Sequence, residues 1–233
     1  MVNLSQMKRL IPLAAALVAC LSMFGQTSLP VNDYMERGTV SHNPVFTPVV
    51  GTGGSSLLES DGDGNTGTSG GFAIKAGVDV EFPINASWSF QTGLSFMSLM
   101  GHSNGIVSPE AAVGYGVQTF EESIHQNFLH LPVMAGLRLH LSGSMHFLLR
   151  FGGFLGCGVG GNTKITRGKS MDESYGTFSG NGFNRFDAGP EWAVTLEYRR
   201  FNIGYNGFVG LVNRSSYFKA NNFVNFFTLG YRL

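Results

Sequence analysis

Three side chains in the second half of the chain belong to types that perform hydrolytic chemistry. His130 could act as a general base whose imidazole is oriented by Asp187 or Glu191, as in a membrane-embedded hydrolase. That chemistry also needs a nucleophilic serine beside the base, and the sequence marks no such serine. We therefore predict no catalytic residues and keep a hydrolase as an alternative.

Two further patterns contain residue types that bind metal ions. Positions 61–65 place side-chain oxygens at alternate positions, like the start of a calcium loop, but Thr66 and Phe72 stand where glycine and a bidentate glutamate are needed. The favoured interpretation is a flexible loop. Four histidines lie close in sequence but on two different segments, which disfavours their convergence on one ion; they are His125, His130, His140 and His146. We predict no metal and no cofactor.

The segment that carries Asp187 and Glu191 alternates between two kinds of residue. In a β-strand successive side chains point to opposite faces, so this segment has one uncharged face and one face with charges. The uncharged face is Phe186, Ala188, Pro190, Trp192, Val194, Leu196 and Tyr198, and the other is Asp187, Gly189, Glu191, Ala193, Thr195, Glu197 and Arg199. A single segment of this kind fits either a membrane strand or a strand of a soluble protein.

The same period of two recurs along most of the chain, and no helical period competes with it. It covers 72–82, 88–96, 129–139, 147–159, 201–211 and 227–233. Charged residues are 13%, about half of the roughly 25% found in soluble proteins. The formal net charge of zero gives no electrostatic reason to expect a nucleic acid partner. The chain is predicted to be all-β, with few residues in bulk water.

The N-terminus has the features of a secretory signal peptide. Lys8 and Arg9 precede an apolar run over 10–24 that is too short to span a membrane, so residues 1–25 are predicted to be removed. In an alternative, Cys20 ends a lipobox and becomes lipidated. We divide the remainder into a segment over 26–58 with a weak first strand, and a barrel over 59–233.

The lengths of the connectors indicate how the strands are arranged. Short links alternate strictly with long links rich in Gly, Ser and Asn, as in outer-membrane barrels with short periplasmic turns and long external loops. The short links are 83–87, 141–145 and 199–200, and the long ones are 60–70, 100–124, 161–182 and 213–222. With a first strand toward 49–58, the prediction is a closed antiparallel eight-stranded up-and-down transmembrane β-barrel in the outer membrane. A soluble lipocalin-like barrel is the structural alternative.

The inward face of such a barrel carries charges of both signs. An eight-stranded barrel has an interior that side chains just fill, so we expect these charges to pair in a plugged lumen. The predicted network is Lys75, Asp79, Glu81, Arg138, Arg150, Asp187, Glu191, Glu197, Arg199 and Arg232. Six aromatic residues near the short links are predicted to form a periplasmic girdle: Phe82, Trp88, Phe147, Tyr198, Phe201 and Tyr231.

Short motifs resemble the PorT-like outer-membrane β-barrel domain of Bacteroidota from Gly71 to the end of the chain. They are residues 127–133 (NFLHLPV), 152–154 (GGF), 186–189 (FDAG) and 229–233 (LGYRL). His130 stands where the family usually has Glu. The resemblance implies the barrel and, through PorT itself, an association with protein secretion; the C-terminal residues look like the signal that the barrel-assembly machinery reads.

These observations lead to three hypotheses about function. The first is a non-enzymatic barrel that anchors external loops for envelope binding, assembly or protein secretion. The alternatives are a narrow transporter of small solutes and a lipid A hydrolase. The expected partners are outer-membrane lipid, the barrel-assembly machinery during insertion and envelope proteins, with no nucleic acid.

Overall fold

The computed structural model describes residues 43–60, 66–106, 119–167, 171–179, 183–214 and 219–233. The predicted signal peptide and the 61–65 motif lie outside these ranges. The described residues form nine strands: β1 Val45–Ser60, β2 Thr66–Pro83, β3 Trp88–Ile106, β4 Thr119–Ser142, β5 Met145–Arg167, β6 Met171–Tyr175, β7 Phe186–Tyr198, β8 Phe201–Val209 and β9 Lys219–Tyr231. None of the described segments is a helix long and apolar enough to cross a bilayer.

Eight of these strands close into one antiparallel barrel. The sheet runs in the order β4-β3-β2-β1-β9-β8-β7-β5-β6, and an additional pairing between β4 and β5 closes the ring. The short strand β6 pairs only with the end of β5, through residues 163–167, and stands outside the ring. The predicted eight-stranded closed barrel is therefore confirmed.

The first barrel strand is longer than the predicted 49–58. It begins at Val45 and contains Pro48, which removes one backbone donor. Phe46 accepts a bond from the Leu233 nitrogen, so Pro48, two residues later, also turns its backbone toward β9. The ladder between β1 and β9 starts one residue later, at Val49. The proline therefore sits at the end of that ladder, where a missing donor is tolerated.

The connections differ at the two ends of the barrel. At one end, here called the turn end, residues 84–87, 143–144 and 199–200 link neighbouring strands. The opposite end, here called the loop end, carries the longer connections. The strands extend further into these connections than predicted, and β4 has 24 residues where about 9–11 cross a bilayer.

The two faces of each strand match the predicted alternation. On β4, the outward positions from Leu129 to Leu139 are apolar over a length that spans a hydrocarbon core. Large apolar side chains exposed on the outside include Phe72, Phe90, Leu94, Leu131, Val133, Phe151, Leu155, Ile203, Phe227 and Leu229. Charged, polar and small residues occupy the inside toward the turn end, and large apolar residues occupy it toward the loop end. The uncharged stripe of each strand therefore forms the outer wall.

Candidate functional site

The lumen near the turn end contains a cluster of four ionised residues from four strands. Arg138 Nη2 on β4 lies 2.8 Å from Glu81 Oε2 on β2 and 3.2 Å from Glu197 Oε2 on β7. Arg232, just after β9, lies 3.7 Å from each of the same two carboxylates. The two arginines thus bridge the two glutamates and tie opposite walls of the barrel together. All four side chains are nearly buried.

A second group of polar residues lies one layer above this cluster. Arg150 on β5 donates hydrogen bonds to Gln91 and to Thr195 Oγ1. Its Nη1 atom also lies 3.5 Å from Asp79 Oδ2. The guanidinium therefore contacts β2, β3 and β7 at once and fills the centre of the lumen.

A wholly buried histidine and glutamate mark the middle of the lumen. His130 Nε2 lies 3.2 Å from Glu191 Oε2, and both side chains have no solvent exposure. The imidazole stacks between Phe154 and Phe208, with both ring centroids 5.2 Å away. Lys75, also buried, lines the small cavity next to Glu191. His130 was not among the predicted network residues, yet it belongs to this interior.

The loop-end half of the lumen is apolar, whereas the alternating pattern predicts charged and small residues inside. Buried side chains from seven barrel strands meet there with two aromatic rings from the connection between β6 and β7. The cluster is Leu57, Ala73, Met97, Leu99, Ile124, Phe128, Phe154, Phe178, Phe183, Phe208, Val224 and Phe226. The lumen therefore changes from ionic at the turn end to aromatic at the loop end.

The two rings from the connection belong to a structure that closes the loop end. We call residues 176–179, 183–185 and 210–214 the cap. Thr177 Oγ1 donates a hydrogen bond to the His125 carbonyl, 2.8 Å away, and the Gly158 nitrogen donates to the Arg185 carbonyl at 2.6 Å. Phe178 and Phe183 point into the barrel and are each 9% exposed. The cap is thereby fixed to β4 and β5.

Arg214 connects the cap segment 210–214 to the segment 176–179. Its guanidinium carbon lies 4.8 Å from the ring centroid of Phe128 and 5.7 Å from that of Phe178. Nη1 also donates to the Phe186 carbonyl at 2.9 Å. Burial lowers the pKa of Arg214 to about 10, so it stays protonated at neutral pH. No alternating pattern surrounds Arg214 in the sequence, so its burial was not predicted.

Two predicted network residues lie elsewhere. Asp187 is buried at the loop end, where it accepts a hydrogen bond from Asn222 Nδ2 at 2.7 Å and contributes a favourable charge beside Arg214. Arg199 is exposed in the turn between β7 and β8, with φ of 54° and its guanidinium 5.5 Å from the Tyr198 ring. Its predicted inward position is wrong, because the alternation of faces ends where the strand ends. Arg214 is the buried cation that was not predicted.

Two small cavities lie in the lumen among the described residues. A cavity beside Arg150 has a volume of about 20 Å³, and a second beside Lys75 and Glu191 has about 10 Å³. A single water needs about 10–15 Å³ by this measure. Each cavity therefore holds about one water.

The six predicted girdle residues all lie near the turn end. Phe201 packs edge-on against Tyr231, with ring centroids 5.3 Å apart, and Phe82 lies 6.2 Å from Phe90. The exposed members are Phe82, Trp88, Tyr198, Phe201 and Tyr231, and Phe147 is half-buried. This placement suits aromatic side chains at a membrane interface.

The residues considered for hydrolysis lie inside the barrel. Ser95 pairs with His130 across β3 and β4, and its Oγ has no hydrogen-bond partner. Together with Glu191 it has the composition of a hydrolytic triad, but all three side chains are almost fully buried inside the barrel. A substrate would have no access to them. Among the described residues, no three His, Cys, Asp or Glu side chains lie close enough to hold a metal ion.

Comparisons with known proteins give a family and several similar solved structures. The chain is similar to Ail, the attachment invasion locus protein of Yersinia pestis solved with the heparin analogue sucrose octasulfate, at 14% identity over 81% of this chain and 99% of that one, with a TM-score of 0.36. Neisserial surface protein A matches at 8% identity over 81% and 97%, with a TM-score of 0.40. No curated protein matches. The family model described as outer membrane protein beta-barrel domain matches residues 46–213. The chain therefore belongs to the outer membrane protein β-barrel domain family and is located in the outer membrane.

Proposed function

We propose that this protein is a non-enzymatic scaffold that holds external loops for envelope binding, assembly or protein secretion. The observation that carries the proposal is the filling of the lumen, ionic at the turn end and aromatic at the loop end. Solutes passing through would have to displace the Arg138 cluster and the cap. A barrel with this interior acts through its outer surfaces.

The uneven height of the barrel supports the same proposal. The loop end faces the cell exterior, since short turns are periplasmic in this class. On that side β4 continues for ten residues beyond the lipid-facing stretch, over 119–128, whereas β8 has only 9 residues in all. The loop-end termini of the long strands β3 and β4, Ile106 and Thr119, therefore lie above the membrane surface. Binding residues are found disproportionately on loops that a rigid scaffold positions.

A role in protein secretion is the more specific function that we propose. The motif over 127–133 resembles the PorT-like barrels of Bacteroidota, and this resemblance favours a role in protein secretion. The barrel-assembly machinery is the proposed partner during insertion, through the terminal segment 229–233. Other envelope proteins are the proposed partners of the loops.

A loop replacement in the native cell tests the proposal. The gene is replaced by a version in which 107–118 becomes a Gly-Ser segment of equal length, and by a second version with His130→Leu and Glu191→Leu in the lumen. We expect the loop replacement to behave like a gene deletion in envelope integrity and protein secretion, and the lumen variant to behave like wild type. Both proteins must first be shown to insert, by faster migration on gels when unboiled. Wild-type envelope integrity and protein secretion in cells with the loop replacement would refute the proposal that the loop over 107–118 carries the function.

A further inference from the structure

The outward face of the tall wall changes from apolar to polar just above the lipid-facing stretch. On β4 the last apolar outward residue toward the exterior is Leu129, and the next outward residues are Asn127, His125 and Ser123. On β5 the outward residues Asn162 and Lys164 change at the same level, whereas β3 keeps Met100 between Ser98 and His102 on its outward face. The polar outward residues of β4 therefore begin at the level where the hydrocarbon core of the membrane ends.

The polar residues form aligned rows across four strands. His102 on β3 pairs with Ser123 on β4, Ser123 pairs with Lys164 on β5, and Lys164 pairs with Ser174 on β6. Paired residues point to the same face, and adjacent strands lie about 4.8 Å apart. The neighbouring row, closer to the membrane, contains His125 and Asn162, which are also paired. We call His102, Ser123, His125, Asn162, Lys164 and Ser174 the ledge.

Hydrogen bonds hold the side chains of the ledge in place. His102 Nδ1 lies 3.2 Å from Ser123 Oγ, and His125 Nε2 lies 2.6 Å from Ser98 Oγ. Ser174 donates to Asn162 Oδ1 at 2.9 Å. Hydroxyl, amide and imidazole groups are thereby presented outward beside an exposed lysine. Groups of this kind recognise sugar hydroxyls and phosphate oxygens.

The ledge begins above the hydrocarbon and extends beyond the headgroup layer, which is about 5 to 7 Å thick on each side of a bilayer. Ser123 is six residues beyond Leu129, which is about 20 Å along the strand and about 15 Å along the barrel axis at the usual tilt. His125 lies closer to the hydrocarbon, and the long side chain of Lys164 can bend toward it. Glu173, the neighbouring carboxylate on β6, pairs with Ile165 and so points to the opposite face. The ledge therefore continues the membrane interface and carries a basic group.

We propose that the ledge binds the phosphorylated sugar headgroup of an outer-leaflet glycolipid. Lys164 pairs with a phosphate, and His125, Asn162 and Ser123 bond the sugar hydroxyls. The site lies on the outer wall and includes none of the residues 107–118 that the scaffold test replaces, so a failure of lipid binding would leave the proposed scaffold function untouched. It would fix a lipid against the tallest side of the barrel.

Binding of defined lipids to the full chain tests this proposal. The purified barrel in detergent micelles is titrated with phosphorylated lipid A, with lipid A stripped of its phosphates, and with phosphatidylglycerol, and bound copies are counted by native mass spectrometry. The variant is Lys164→Gln, and the matched control is Arg199→Gln, which removes a positive charge at the opposite end. Asn162→Ala serves as a second variant, and migration of unboiled samples verifies folding.

We expect the lysine variant to bind phosphorylated lipid A about fivefold more weakly, the effect of one basic group near a charged membrane surface. Removal of the phosphates should weaken wild-type binding at least as much, and Arg199→Gln should bind like wild type. Equal binding by the lysine variant would overturn the proposal. Phosphatidylglycerol binding as tight as that of lipid A would also overturn it, since the sugar contacts would then contribute nothing.

Discussion

His130 and Glu191 meet in the lumen with Nε2 and Oε2 3.2 Å apart, and neither side chain is exposed. The pair lies where the ionic half of the lumen meets the aromatic half. A glutamate at position 130 would place two carboxylates face to face. His130 instead places an imidazole nitrogen beside the Glu191 carboxylate on β7 and avoids this repulsion.

Replacing one partner of this pair should destabilise the barrel more than replacing both. Glu191→Leu and His130→Leu each leave a buried polar group without its partner, which costs about 3 to 5 kcal/mol for buried ion pairs. The double variant removes both groups and should lie closer to wild type. The free energy of unfolding in urea, measured in lipid vesicles, gives the comparison. Additive losses in the double variant would show that the two side chains do not interact.

Removing a charge from the Arg138 cluster at the turn end should lower the stability of the barrel by a similar amount. Arg138→Met leaves Glu81 and Glu197 close together with only Arg232 between them, so we expect a loss of about 3 to 5 kcal/mol in the free energy of unfolding. Arg199→Gln is the control, since this exposed turn residue should change stability by less than about 0.5 kcal/mol. Equal effects of the two substitutions in urea titrations would contradict the placement of Arg199 outside the lumen.

A glycine on β5 makes room for the cap. A Cβ at Gly158 would overlap the ring of Phe178, whereas a Cβ at Gly160 would meet nothing. Gly158→Ala should displace the ring at a cost of about 1 to 3 kcal/mol and expose the cap, so trypsin should cleave after Arg185 at least fivefold faster. Gly160→Ala should be cleaved like wild type. Unchanged cleavage of the first variant would mean that the ring does not close the lumen.

The lipid-facing wall gives a further prediction. Val133 is 43% exposed in the middle of the apolar stretch of β4, and Leu141 is 55% exposed at its turn end. Arginine at mid-bilayer costs about 2 to 4 kcal/mol, against about 0 to 1 near the interface. Unfolding in lipid vesicles should therefore show a large loss for Val133→Arg and a small one for Leu141→Arg. Similar losses for the two variants would mean that the centre of the bilayer does not lie at the level of Val133.

The period of two was sufficient to predict which face of each strand meets lipid. Leu131, Phe151 and Ile203 all lie outside as expected, because sheet geometry converts parity directly into sidedness. The cap could not be predicted, because Arg214 and Phe178 are brought together by tertiary contacts between two connections. The extra length of β4 was missed for another reason. Above the membrane its outward residues are polar, so the apolar pattern ends before the strand does.

The most direct test of the filled lumen is the electrical conductance of the wild-type protein. Purified full-length barrel is inserted into planar bilayers, with a 16-stranded porin in the same apparatus as the positive control. The arrangement of Arg138, Arg150 and the cap predicts a baseline current equal to that of a protein-free bilayer. Reproducible steps of defined amplitude from the folded protein would contradict it, and would make the barrel a channel.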